Sequence, residues 1–286
     1  MANPVLSTRG LFTPAGPQFV APAQGVNGNV PGAGYQTYAV PPQGYGQSGN
    51  GSQWQPPATT VGIERMTFND VLTKTAISLT MLFLVAAFSY FLLPNSILYP
   101  AAMIGGLAAF IAPLIVAKNR TATPIGNIFY AVAEGVLVGA FSKIFEYYYP
   151  GIVVQAVLGT FMAAAVTWVA YHFGGFRLSS KAMRMVSLGV MAFVGVALVN
   201  LVLFLFGINT GMFPGPTGPV SIWAWILALV GIGLAVFSLV SDLQYIDAGV
   251  RMGAPRSQGW VAAFGLSVTM VWLYINILRL LSYIRR

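Results

Sequence analysis

The chain has 286 residues, of which 57% are hydrophobic and only 7% charged, with 14 basic side chains against 6 acidic ones and no cysteine. A soluble domain is roughly a quarter charged, and here the apolar residues run in blocks of about twenty, the length that crosses a bilayer as a helix, so the chain reads as a multispanning membrane protein. The basic residues lie between the apolar blocks and not in a patch laced with aromatics, which argues against a nucleic-acid partner. The missing cysteines exclude disulfides, iron–sulfur clusters and thiol nucleophiles.

Residues 1–61 are rich in Gly, Pro, Gln, Asn and Ser, as in Val40-Pro-Pro-Gln-Gly-Tyr-Gly-Gln-Ser-Gly-Asn-Gly-Ser52. Such a segment buries too little surface to offset its ordering entropy and is expected to be a disordered tail. It shows no charged region followed by an apolar core, so no cleavable signal is expected. Residues 62–286 form the second unit. Thr67, three residues before Asp70, reads as an N-cap from which a helix runs into the first span.

Seven spans are expected, at Thr75–Leu93, Ile97–Ala117, Ile125–Tyr147, Ile152–Phe173, Met183–Phe206, Val220–Leu243 and Gln258–Ser282. Each is long enough for about 30 Å of hydrocarbon at 1.5 Å per residue. The loops alternate: Pro94-Asn95-Ser96 and Gly207 to Pro219 are uncharged, whereas Lys118/Arg120, Arg177/Lys181/Arg184 and Arg251/Arg256 are basic. With Arg65 and Lys74 ahead of the first span, the positive-inside rule places the N-terminus in the cytoplasm. The arginines at 279, 285 and 286 conflict with a seventh full crossing; the length of the last block favours the crossing.

Glu134 and Asp242 are the acids expected inside spans. An Asp at a helix centre costs roughly 2.5–3.5 kcal/mol on insertion scales, so each is a functional-site candidate. Asn127, Tyr130 and Glu134 share a helix face, beside a stripe of Ala131, Gly135 and Gly139 that permits close helix approach. Asp242 has no acid-base partner nearby in sequence. Asp247, about 140° away around the helix, has Arg251 four residues on, a surface pair at the cytoplasmic boundary. In the last block Thr269, Trp272, Asn276, Arg279 and Tyr283 make a polar stripe, expected to meet Asp242 through Asn276 and to offer Arg279 as an internal counter-charge. His172 closes the fourth span and reads as solvated.

Several classes fail on these residues. No lysine follows Lys181 for a retinal Schiff base, one histidine cannot make an intramembrane metalloprotease, and no phosphate loop ends in Lys-Ser/Thr. The chain is not expected to be an enzyme or to hold a resident cofactor. A channel, a transporter or a contact-based regulator remains.

Glu134-Gly135, Ser241-Asp-Leu-Gln-Tyr-Ile-Asp247, Trp260-Val-Ala-Ala-Phe-Gly265 and Leu273-Tyr-Ile-Asn-Ile-Leu-Arg-Leu-Leu281 together resemble the Bax inhibitor-1 family (the transmembrane Bax-inhibitor-motif proteins), in particular its bacterial YccA-like branch. The likeness runs from Glu64 to Arg286. It implies an all-α membrane fold, a seven-transmembrane helix bundle with a central C-terminal helix, in a bacterial inner membrane. It also implies a passive, pH-sensitive calcium leak, gated by an aspartate closing the sixth helix and a second acid in the seventh. Asp242 matches the first position, and the second is expected at Asn276, an amide. Asp242, Asn276, Glu134 and Arg279 are then the ion-pathway residues, with Asp242 a weak, transient ligand for Ca²⁺ or another cation. The resemblance further implies a regulatory alternative, contact with a membrane-bound ATP-dependent protease.

Overall fold

The computed structural model describes residues 64–119 and 122–286. The readings of residues 1–61, of the Lys118 side chain and of Arg120 fall outside it. Among the described residues the fold is all-helical, with seven long helices: α1 Phe68–Leu92, α2 Leu98–Asn119, α3 Pro124–Tyr148, α4 Ile152–His172, α5 Ser180–Leu205, α6 Ile222–Arg251 and α7 Gln258–Ile284. All are long and apolar enough to cross a membrane.

Helix starts are written in the sequence as caps. The side chains of Thr67, Thr123, Ser179 and Ser221 each accept the backbone N–H three residues on, and Pro124 follows the second of them. These bonds satisfy donors that a helix cannot satisfy itself. Capping also explains why α5 begins at Ser180 and not at the expected Met183: its first turn is polar and hydropathy misses it. At the other boundary α6 continues past Leu243 to Arg251, because Gln244 and Asp247 find partners on the neighbouring loop.

α7 sits at the centre. Helices α1, α2, α3, α4 and α6 adjoin it, and α5 reaches it through Phe193, whose ring lies 5.6 Å from that of Trp272. Its buried residues point in every direction, from Val261 and Phe264 to Leu273, Tyr274 and Leu278, whereas α1, α4 and α5 leave large apolar side chains such as Phe88, Phe161 and Leu188 exposed. A helix hydrophobic on all sides belongs in the core, and one apolar on its outer face meets lipid.

The small-residue stripe of α3 packs on α1. A Cβ on Gly135 would lie 2.7 Å from Val85 Cβ and 2.8 Å from the Leu82 carbonyl oxygen, and one on Gly139 would meet the Ala86 carbonyl. Close approach of two backbones is what such a stripe permits.

The two ends of the bundle are closed differently. At the first, the segment before α1 joins the α6–α7 loop: Met66 N–H donates to Ala254 at 2.7 Å and Arg256 N–H to Glu64 at 2.8 Å. Asp70 there takes Lys74 at 2.6 Å and Arg256 at 3.1 Å. Hydrogen bonds donated to Glu64 and Asp70 push the Arg256 guanidinium above its ordinary pKa. At the opposite end Arg285 donates to the Pro150 carbonyl at 2.8 Å, and Arg286 donates to the Tyr149 hydroxyl and to the carbonyls of Gly215 and Gly218. Two of the three arginines that conflicted with a seventh crossing, Arg285 and Arg286, thus bond loop carbonyls, which guanidinium donors match well. α7 runs the full length of the bundle.

Candidate functional site

Asp242 has no solvent exposure. The Thr269 hydroxyl on α7 donates to its Oδ2 at 2.6 Å. Ser238, one turn earlier on α6, is also buried, and its hydroxyl has no hydrogen-bond partner among the described residues. Glu134 on α3 is 5% exposed, Tyr130 precedes it by one turn on the same face, and the Glu134 Oε2 is buried without a hydrogen-bond partner among the described residues.

The two carboxyls share a depth. Asp242 lies about 14 Å from the Arg251 end of α6, Thr269 about 16 Å from the Gln258 end of α7, and Glu134 about 15 Å from the Pro124 end of α3, at 1.5 Å per residue. Those three helix ends meet on one side of the bundle, since Asn127 donates to the Trp260 carbonyl across it at 3.2 Å. Between this level and that side stands part of a buried cluster, with Tyr130, Ile246, Phe264 and Leu266. The rings of Tyr130 and Phe264 close it at 4.4 Å. The arrangement is two buried carboxyls at a similar height in the bundle, on helices α3 and α6 that each pack against α7 and not against each other.

The expected partner of Asp242 is not where the resemblance placed it. Asn276 donates along its own helix to the Trp272 carbonyl at 2.8 Å, and its side chain fills the space left by Gly231, which is too small to hold even a Cβ there. It stands about 10 Å along α7 from Thr269. The reason is register: α6 and α7 form an antiparallel hairpin, so residues at similar distances from the turn meet, and that pairs Asp242 with Thr269. Counting from the turn at Met252–Ser257 would have found it; stripe chemistry alone selected the amide.

Arg279 does not serve as a counter-charge to Asp242. Its guanidinium lies over the rings of Phe213 at 4.9 Å and Phe141 at 5.6 Å, and among the described residues it makes none of the ion pairs. Aromatic faces attract a cation and here take the place of an acid. Asp247 takes Arg251 at 2.8 Å and Arg177 at 3.4 Å, with Tyr171 donating at 3.3 Å. His172 stacks on Trp168 with ring centroids 5.3 Å apart. Two charged residues the sequence reading passed over do local work: Lys143 donates to the Leu93 carbonyl at 2.6 Å and ends α1, and Glu146 accepts the Gly151 and Val153 amides that open α4.

The sequence model of the family described as Bax inhibitor 1 like matches residues 6–286. The chain belongs to that family. The match begins well before Glu64, where the motifs carrying the resemblance begin, so the Bax inhibitor 1 like assignment takes in most of the N-terminal segment as well. No curated protein matches the chain closely enough to count as a relative. In this Bax inhibitor 1 like chain the α7 side chain that bonds Asp242 is Thr269, whereas Asn276, where the resemblance puts the second acidic position, bonds the Trp272 carbonyl. No group of three or more His, Asp or Glu side chains that could hold a metal ion occurs among the described residues. Calcium takes six to eight oxygens; a carboxylate with one or two hydroxyls offers too few to hold it tightly.

Proposed function

We propose that this protein is a passive, pH-sensitive leak for Ca²⁺ or another cation, non-catalytic, in a bacterial inner membrane. The observation that carries the reading is the pair of buried carboxyls, Asp242 and Glu134, at one depth in the bundle and closed off by the Tyr130–Phe264 contact. Intramembrane acids facing a bundle interior mark ion and proton pathways. Asp242, held by Thr269, is the gate: parting α6 from α7 at this contact opens oxygen ligands to a passing cation. Glu134 supplies a second carboxyl at that level. Asn276 acts as the wedge that sets α6–α7 spacing at Gly231. The end bearing Arg65, Lys74, Arg177, Lys181, Arg184, Arg251 and Arg256 faces the cytoplasm by the positive-inside rule, which puts the N-terminus there.

The test is calcium entry into dye-loaded proteoliposomes across pH. Asp242→Asn is expected to flatten the pH profile while leaving the protein folded. Equal flux and an equal profile for wild type and variant would remove Asp242 from the gate. A cellular phenotype that needs the protein without any measurable flux would instead favour contact with a membrane protease.

A further inference from the structure

Outside the interior site, one pocket joins opposite charges that do not pair with each other. It is a groove of about 330 Å³ lined by Tyr90, Phe91, Lys143, Glu146 and Tyr147, between the last two turns of α1 and of α3, at the end away from Glu64. Lys143 and Glu146 stand three residues apart on one helix, a spacing that ordinarily gives an ion pair. Here the ammonium goes to the Leu93 carbonyl and the carboxylate to the Gly151 and Val153 amides. Each keeps spare capacity, since an ammonium has three donors and a carboxylate about four acceptor sites.

The surroundings define the occupant. Phe91 and Tyr147 are 77% and 78% exposed, each edge-on to a neighbouring ring, Tyr90 and Tyr148 respectively. Tyrosines at the end of a span mark the headgroup level of a bilayer. A separated cation and anion in one groove, with apolar rings on the lipid side, complements a molecule that carries a phosphate, a primary ammonium and acyl chains. We infer that this groove binds the headgroup of an ethanolamine phospholipid, phosphate on Lys143 and ammonium on Glu146. A glycerol headgroup leaves Glu146 facing no cation, and a quaternary ammonium has no N–H to donate to it.

The experiment titrates the full-length chain in mild detergent with short-chain phosphatidylethanolamine, phosphatidylcholine and phosphatidylglycerol, and with water-soluble glycerophosphoethanolamine, counting bound molecules by native mass spectrometry. Wild type is expected to prefer the ethanolamine lipid over the glycerol lipid about tenfold, the worth of one charge-assisted hydrogen bond. Glu146→Gln keeps an acceptor for one of the two α4 amides and is expected to lose that preference; Lys143→Arg keeps it. Equal wild-type binding of the three lipids would overturn the inference whatever the variants do. So would a preference that survives Glu146→Gln, or glycerophosphoethanolamine binding as tightly as the lipid, which would make the groove a solute site.

Discussion

Adding one methyl group to the α1–α3 seam tests the packing logic of the whole bundle. In Gly139→Ala the new Cβ meets the Ala86 carbonyl oxygen and comes within 2.7 Å of Ser89 Cβ. The obstacle is backbone in mid-helix, so no rotamer change relieves it and α1 must move away from α3. Overpacking of this kind costs typically about 1–3 kcal/mol. Against it stands the gain of about 1 kcal/mol from replacing glycine by alanine in a helix. That gain is isolated by a control, Gly233→Ala, where nothing lies within 4 Å of the added Cβ. Because the propensity gain is common to both variants, Gly139→Ala should be less stable than Gly233→Ala by the overpacking cost alone, about 1–3 kcal/mol. Reversible unfolding of the full chain in mixed detergent micelles measures the gap. Equal stabilities, or a Gly139→Ala protein more stable than the control, would mean that α1 and α3 are not in backbone contact.

Two further outcomes follow from contacts at the centre and at the far end. Thr269→Asp puts a second carboxyl within hydrogen-bond reach of Asp242, and two such groups titrate as a coupled pair; a new step should enter the pH profile of flux for this variant and not for Asn276→Asp, and the opposite result would return the second acidic position to Asn276. Arg286→Ala releases the Gly215 and Gly218 carbonyls and the Tyr149 hydroxyl, so proteolytic nicking of the 207–219 loop should rise several-fold as local opening becomes cheaper, with unchanged nicking counting against the tether.

The seven spans, the central place of the last helix and the glycine seam were legible in the sequence because each is a periodic or length-dependent signal. Twenty apolar residues, a polar stripe at spacings of three and four, and Ala131, Gly135 and Gly139 on one face all follow from helix geometry. The partner of Asp242 was not legible from the stripe, since Thr269 and Asn276 lie on the same face of α7. Only the register of the α6–α7 hairpin separates them. Lys143, Glu146 and Arg286 were harder still: their partners are backbone atoms at the ends of other helices and loops, which carry no side-chain signature.

The distribution of end contacts says which side of the Asp242–Thr269 pair can move. α7 is tied at its start, where Lys74 donates to the Arg256 carbonyl at 2.7 Å, and at its far end through Arg285 and Arg286. The C-terminal turns of α6 are tied elsewhere. Gln244 exchanges two hydrogen bonds with the Leu178 backbone, at 3.0 and 3.1 Å, and Asp247 takes Arg177, so this part of α6 is fastened to the α4–α5 loop. Sliding α7 would break bonds at both of its ends, whereas tilting the last turns of α6 together with that loop leaves the Arg285 and Arg286 tethers intact and strains the α6–α7 turn, where Arg256 is held. On the proposed leak reading, an opening that exposes Asp242 would carry residues 174–179 with it, and the α6 side of the hairpin would be the side that moves.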